Sequence, residues 1–242
     1  MAKNPSFEFV VCVNDPEVLR RRLLASPCLH GDTYGRNFFF NAASAAAAFN
    51  GAMDSGPGAQ WLIWVHQDVY LPKDWDARFM AEIRKAERSY RHLGVVGVYG
   101  VAGSGSRARH AGHVLDRGLE LNGTCALPCR VDSLDELLFA VRRDTGLHLE
   151  PDLGFDFYGT DLALTARERG LDVVVVDACC EHWSSLSREG PFPRHVVERV
   201  RAAGEAFERK WSHRLPVVTP CFSINRPGDV AAQCGMAQIL DP

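Results

Sequence analysis

Three short polar clusters in this 242-residue chain have residue types and spacing suited to chemistry. The first is His66-Gln67-Asp68, which interrupts an apolar run, WLIWV, before Val69, Tyr70 and Leu71 resume it. Residues two apart on a strand share a face, so His66 and Asp68 would project together. An imidazole and a carboxylate on one face can hold a divalent cation. The same pair can also serve the backbone, as a hydrogen-bonded histidine and a turn cap before Pro72. The second cluster is Glu181-His182-Trp183, which again closes an apolar stretch. The third runs from Asp156 through Tyr158 to Asp161 and leads into a helical pattern. Asp161 suits a first-turn acid, favourable with the helix dipole, or a general base at the mouth of a pocket.

A fourth stretch, GVAGSGSRARHAGH, is rich in glycine but lacks the Gly-Lys-Ser/Thr ending of a phosphate-binding P-loop. Neither a G-x-S-x-G elbow nor an H-E-x-x-H helix is present. The spacing of Cys125 and Cys129 is only loosely that of a metal site, and free thiols are the better expectation for the eight cysteines.

The clusters need a scaffold that brings distant strand ends together. Short β-type runs alternate with helical stretches, which predicts an α/β layered fold. Strands are expected at residues 7–14, 61–65, 93–100 and 171–178, the last with four consecutive valines that suit a strand covered on both faces. Helices are expected after Asp15-Pro16, over the alanine-rich residues 41–53, after Pro72, over 131–144, after Tyr158, and from Phe192 to Trp211. Residues 27–40 hold a short strand or none. Residues 100–123 read as loop, and the last thirty as an irregular tail. The economical division is one domain over residues 1–190, with a C-terminal helix and tail, 191–242, packed on it. Ligands in open α/β sheets sit beyond the carboxyl ends of the strands, where the first two clusters fall.

A net charge of -3 without a long Lys/Arg run argues against nucleic acid as a partner. No segment approaches the apolar length of a membrane span, and residues 1–15 lack the pattern of a signal peptide. The expected location is cytoplasmic.

The ordered set of segments resembles the GT-A-fold glycosyltransferases of family 2. Within them it is most similar to the branch named after a streptomycin-biosynthesis protein (StrF-like). The resemblance rests on VNDPEVLRRRLLAS, FNAASAAAAFNGAM, HQDV followed by LPKDW, GVVGVYG, VDSLDELLFAVRR and FDFYGTDLALTARERGLDVVVVDACCEHWS. It implies a Rossmann-like α/β fold, with a mixed, mostly parallel sheet flanked by helices. It also implies metal-dependent, inverting transfer of a sugar from a UDP-, GDP- or dTDP-sugar to a hydroxyl of a glycan or small-molecule acceptor. Asp68 and His182 would hold Mn²⁺ or Mg²⁺. Asn14, Asp15, His66 and Gln67 would join Asp68 around the nucleotide-sugar, Asp161 would be the base, and Asp156, Tyr158 and Trp183 would shape the acceptor site. The chain departs from the pattern twice. His66 stands in place of the first acid of an Asp-x-Asp motif, and Gly159 stands where a second Asp is common. These departures motivate an alternative reading, a non-catalytic GT-A-like protein that binds a sugar nucleotide or glycan.

Overall fold

A computed structural model describes residues 6–56, 58–184 and 191–236, with the backbone of 239–240. The apolar run of β1 (Phe7–Val13) lies between β2 (Gly35–Phe40) and β3 (Trp61–Val65), parallel to both. All five residues of β3 are buried, as a central strand covered on both faces requires. Asp15 caps helix α1 (Pro16–Arg21) by accepting from the backbone N–H groups of Glu17 and Val18, and Pro16 needs no donor in the first turn. The alanine-rich helix α2 (Ala45–Asp54) is capped by Ser44 and packs its small face on the sheet. Helix α3 (Trp75–Ser89) buries Trp75, Phe79 and Ile83 on the opposite face.

Four further strands complete the main sheet: β5 (Leu93–Gly97), β9 (Cys129–Arg130), β11 (Leu138–Arg142) and β12 (Asp172–Val175). Their order is β2-β1-β3-β11-β5-β12-β9. Strand β11 runs antiparallel to both β3 and β5, and β9 antiparallel to β12; the other five share one direction. This is the mixed, mostly parallel sheet expected. Helix α4 (Tyr158–Glu168) covers the α2 side.

A smaller sheet stands at the carboxyl edge of the first. It is built from β4 (Val69–Tyr70), β6 (Tyr99–Ala102), β7 (Arg109–Asp116), β10 (Ser133–Leu134) and β13 (Glu181–His182), with β8 (Leu119–Asn122) paired to β7. Most of residues 100–123, expected as loop, is therefore strand, with 103–108 as a loop between β6 and β7. Arg117 and Gly118, both at positive φ (51° and 80°), make the tight turn between β7 and β8. Gly112 lets β7 cross closely: at φ +89°, a side chain there would place its Cβ 2.0 Å from the Val98 carbonyl.

Two more expectations are corrected. Residues 131–144 do not form a helix; they contain β10 and β11. Leu138, Phe139, Ala140 and Val141 are all buried, and a short apolar run covered on both faces has no period that separates strand from helix. The C-terminal region is more ordered than a tail. Helices α5 (Arg194–Lys210) and α6 (Asp229–Gly235) pack with a short hairpin, Val217–Val218 against Ser223–Ile224. They form a cluster with Leu153, Phe157 and Leu164 of the main body. The expected boundary at residue 190 lies outside the described residues. Among the described residues no helix is long and apolar enough to cross a membrane.

Gly112→Ala should destabilise the protein by at least about 2 kcal/mol, since strained backbone and a steric clash act together. Urea denaturation measures this, and a neutral result would mean that β7 does not cross β5–β6 as described.

Candidate metal and transfer site

The carboxyl end of β3 delivers His66, Gln67 and Asp68 to the sheet edge. The neighbouring parallel strand β1 ends there with Asn14 and Asp15. Gln67 joins the two, its Oε1 accepting from the N–H groups of Asn14 and Asp15 at 3.1 Å each, while its Nε2 donates to Asn14 Oδ1. Asn14, Asp15 and Gln67 are thus brought together, with Gln67 as the clasp of the β1–α1 turn.

His66, Asp68 and His182 converge. One potential ligand atom from each lies within 4.8 Å of the others. Strand β13 places His182 beside Asp68 by pairing antiparallel with β4 (His182 opposite Val69) and parallel with β7 (His182 opposite Asp116). His182 Nδ1 lies 2.9 Å from Asp116 Oδ1, and its Nε2 3.5 Å from Asp68 Oδ1. This is the carboxylate–histidine arrangement that orients a metal-ligating imidazole. Burial works against a charge on His182, but bonds to Asp116 and Asp68 carry its pKa up to about 10. Burial also opposes the charge on Asp116, yet His182 and Arg117 bring its pKa down to about 2, and Asp68 is lowered by the same histidine against its burial. Desolvation takes His66 down to about 4, against the pull of Asp68. His66 is therefore neutral, the form in which imidazole ligates metals, whereas His182, with Arg117 beside Asp116, carries the positive charge here and would release its Nε2 proton to ligate one. Two imidazoles and a carboxylate fit a divalent transition-metal ion.

His66 Nε2 lies 2.8 Å from Tyr158 Oη, which also meets Trp64 Nε1 at 3.1 Å. Tyr158 is 1% exposed. Its expected contact with an acceptor is corrected: the ring is packed under the site, where it positions His66. Trp183 also lies apart from the acceptor-side residues. Its Nε1 donates to Glu181 and the guanidinium of Arg22 sits 4.3 Å over its ring. Asp156 does face the cavity beside the cluster and is held by two bonds from Arg199, 2.7 and 3.1 Å.

Asp161 is the main correction. Its carboxylate is 1% exposed, accepts from Trp211 Nε1 at 2.8 Å and pairs with Lys210 Nζ at 2.8 Å. Burial lifts its pKa despite both partners. It ties α4 to the end of α5 and is absent from the cavity wall.

The cavity extends from His66 and has a volume of about 510 Å³. Asp135 and Glu136, which were not anticipated as site residues, form its acidic floor. They arrive there because β11 is antiparallel: the residues before it meet the carboxyl end of β3, where His66 N–H donates to the Leu137 carbonyl at 3.0 Å. Asp135 Oδ1 accepts from Leu137 N–H at 3.0 Å, whereas the contact of Glu136 Oε1 with Gly159 N–H is long, 3.4 Å. Burial, reinforced by Asp156 and Asp135, pushes the Glu136 carboxyl well above the ordinary range. The signal for these two was present in VDSLDELL, hidden by its helical reading. Asp116 was hidden by the reading of its hairpin as loop.

Residues 8–193 match the glycosyltransferase-like family. No curated protein matches the chain in sequence. Among solved structures, the fold is similar to a mannosyltransferase of Pyrobaculum calidifontis in complex with GDP-Man and Mn²⁺. The TM-score is 0.55 and the identity 10%, over 96% of this chain and 70% of the other. It is also similar to GalNAc-T7 with UDP, GalNAc and Mn²⁺, with a TM-score of 0.54 and 12% identity, over 99% of this chain and 56% of that one. Both likenesses bear out the GT-A fold.

Asp116→Ala should weaken Mn²⁺ binding by about 10–100-fold, the usual effect of removing a residue that orients a ligating histidine. Isothermal titration calorimetry measures it, and unchanged affinity would separate His182 from the metal. Asp161→Ala should lower stability by about 1–3 kcal/mol, because it strands the buried Trp211 N–H and leaves Lys210 with Glu150 as its remaining partner. Its melting curve checks this.

Proposed function

The chain belongs to the glycosyltransferase-like family, and we propose that it transfers a sugar from a nucleoside diphosphate sugar to an acceptor hydroxyl with inversion. The observation that carries this reading is the continuity of one cavity from His66, at the three-residue cluster, to Glu136. His66, Asp68 and His182 would hold the metal. When bound, it supplies positive charge to the diphosphate. Two imidazoles in the ligand set favour Mn²⁺ over Mg²⁺. Asn14 and Asp15, locked by Gln67, would border the donor, a UDP-, GDP- or dTDP-sugar.

The base in this reading is Glu136. Gly159 stands where the StrF-like branch often carries an acid, and a Cβ there would lie 3.0 Å from Glu136 Cγ and 2.8 Å from the Leu134 carbonyl. The missing side chain leaves room for Glu136 at the start of α4. Glu136 would accept the proton of the acceptor hydroxyl as its oxygen bonds to the anomeric carbon. The bond from that carbon to the phosphate oxygen breaks, and its electron pair leaves with the nucleoside diphosphate. A raised carboxyl pKa suits a base that must hold a proton near neutral pH. Asp156 and its partner Arg199 would line the acceptor side. The eight cysteines are all free thiols, in keeping with a cytoplasmic location.

The first test is a thermal-shift screen of nucleoside diphosphates with and without Mn²⁺. A ligand at 100 times its Kd adds about 2.7 kcal/mol of stability. The expected outcome is a Mn²⁺-dependent shift that Asp68→Ala abolishes; a shift indifferent to both would sink the reading. Binding without turnover of any donor would return the non-catalytic alternative.

Glu136→Gln should lower kcat by about 100-fold or more. The wild-type rate should rise with pH through the raised titration of Glu136, and the variant should lose that limb. Stability moves the other way. The folded protein holds this proton more tightly than the unfolded chain, so Glu136 costs stability as pH rises above the ordinary carboxyl value of 4.5. Glu136→Gln should therefore flatten that decline in melting temperature, and an equally steep decline would place the carboxylate in solvent.

A further inference from the structure

The wall of the cavity facing Glu136 differs in character from its acidic floor. Phe157, Phe192, Val196, Val197, Val200 and Phe222 line it. Three of its polar side chains already bond to the protein. Thr160 Oγ1 is 2.9 Å from Ser133 Oγ, Thr219 Oγ1 accepts from the N–H groups of Cys221 and Phe222, and Gln233 Nε2 donates to the carbonyls of Ser223 and Asp229. Arg199, the permanent cation among the described lining residues, is bound to Asp156 by two charge-assisted bonds. A polyol bound here would find partners on the acidic floor alone, and each hydroxyl turned to the apolar wall would lose its water unpaired, at a cost. A phosphorylated acceptor would face Asp135, Glu136 and Asp156 with no unpaired cation to meet it.

We infer that the acceptor is a neutral alcohol with a compact apolar body, aromatic or alicyclic, whose single hydroxyl reaches Glu136 while its body lies against the α5 wall. The inference rests on the transfer reading above and deepens it by naming the acceptor class. A volume of about 510 Å³ is that of a site for a drug-sized molecule, with apolar walls and a few placed polar groups. The hydroxyl is the one polar group such a ligand must satisfy, and Glu136 is the acceptor for it.

The test is equilibrium binding to the full chain, followed by tryptophan fluorescence and calorimetry, with three classes of probe. These are uncharged phenolic and alicyclic alcohols, neutral trisaccharides, and a short isoprenyl phosphate. The alcohols should bind at least tenfold more tightly than the other two classes. Val196→Glu, which puts a carboxylate on the wall from a half-buried helix position, should weaken alcohol binding at least tenfold, and Val196→Leu should retain it. Melting temperatures of both variants establish that they are folded. Preference for the trisaccharide or the isoprenyl phosphate overturns the inference, as does absence of binding in all three classes, or alcohol binding unmoved by a folded Val196→Glu. The Mn²⁺-dependent nucleotide shift, measured in parallel on the wild-type protein, reads the transferase assignment separately. Its presence with failed alcohol binding removes only the acceptor class, and its absence with alcohol binding intact removes only the transferase.

Discussion

The imidazole of His182 sits between two carboxylates, Asp116 and Asp68, and the geometry of the sheet edge follows from that contact. Each partner comes from a different segment: Asp116 ends β7, Asp68 follows β3, and His182 ends β13. Two carboxylates removed from water repel each other and lose hydration, so their approach is tolerable only with a cation between or beside them. The register of β13 meets that requirement by pairing with β4 on one side and β7 on the other. The small sheet is therefore both a structural extension of the main sheet and the frame of the His66–Asp68–His182 cluster. Protonated His182 provides that positive charge, and Arg117 beside Asp116 adds to it.

A second constraint places two acids beside His66. In an all-parallel sheet, the loop entering a central strand lies at the amino edge, away from ligands. Strand β11 is reversed, so residues 135–137 arrive at the carboxyl edge, next to His66. The backbone bond from His66 to Leu137 fixes the two chain segments together. Trp64 Nε1 donates to the Glu136 carbonyl and meets Tyr158 Oη, and Tyr158 in turn holds His66. Buried aromatic groups with one polar atom each thus connect the metal side of the cavity to its acidic floor.

The convergence of His66, Asp68 and His182 was legible in the sequence. HQD and EHW each break an apolar run, and polar residues closing a buried strand have few structural uses, so Asp68 and His182 could be paired before any geometry was known. The acidic floor was not legible. Leu137 to Val141 are apolar without a period, because both faces of β11 are covered, and a helical reading of the run takes Asp135 and Glu136 away from the sheet edge. Asp161 misled for the converse reason. An aspartate in the first turn of a helix resembles an exposed capping acid, and only the packing of α5 shows that Trp211 and Lys210 cover it. Its partners lie 49 and 50 positions away in the chain, beyond what local pattern can report. Tyr158 was placed near the right residues but with the wrong role, since spacing cannot tell whether a ring faces the cavity or the core.

One physical cause links the two halves of the cavity. The apolar wall from α5 and the hairpin near Phe222 lines the same cavity as the floor. Water exclusion is what lifts the Glu136 carboxyl, with Asp156 and Asp135 adding to it. In the proposed reading, the wall that favours an apolar acceptor body borders the same cavity as the group that would meet the acceptor's hydroxyl. Filling the cavity with such a body removes more water and strengthens the contact between hydroxyl and carboxylate in a low-dielectric space. A polar acceptor of equal size would carry water in with it, and would lower the basicity of the group it needs. Selection and activation are in this way properties of the same residues, and Gly159, by having no side chain, leaves Glu136 the space in which both act.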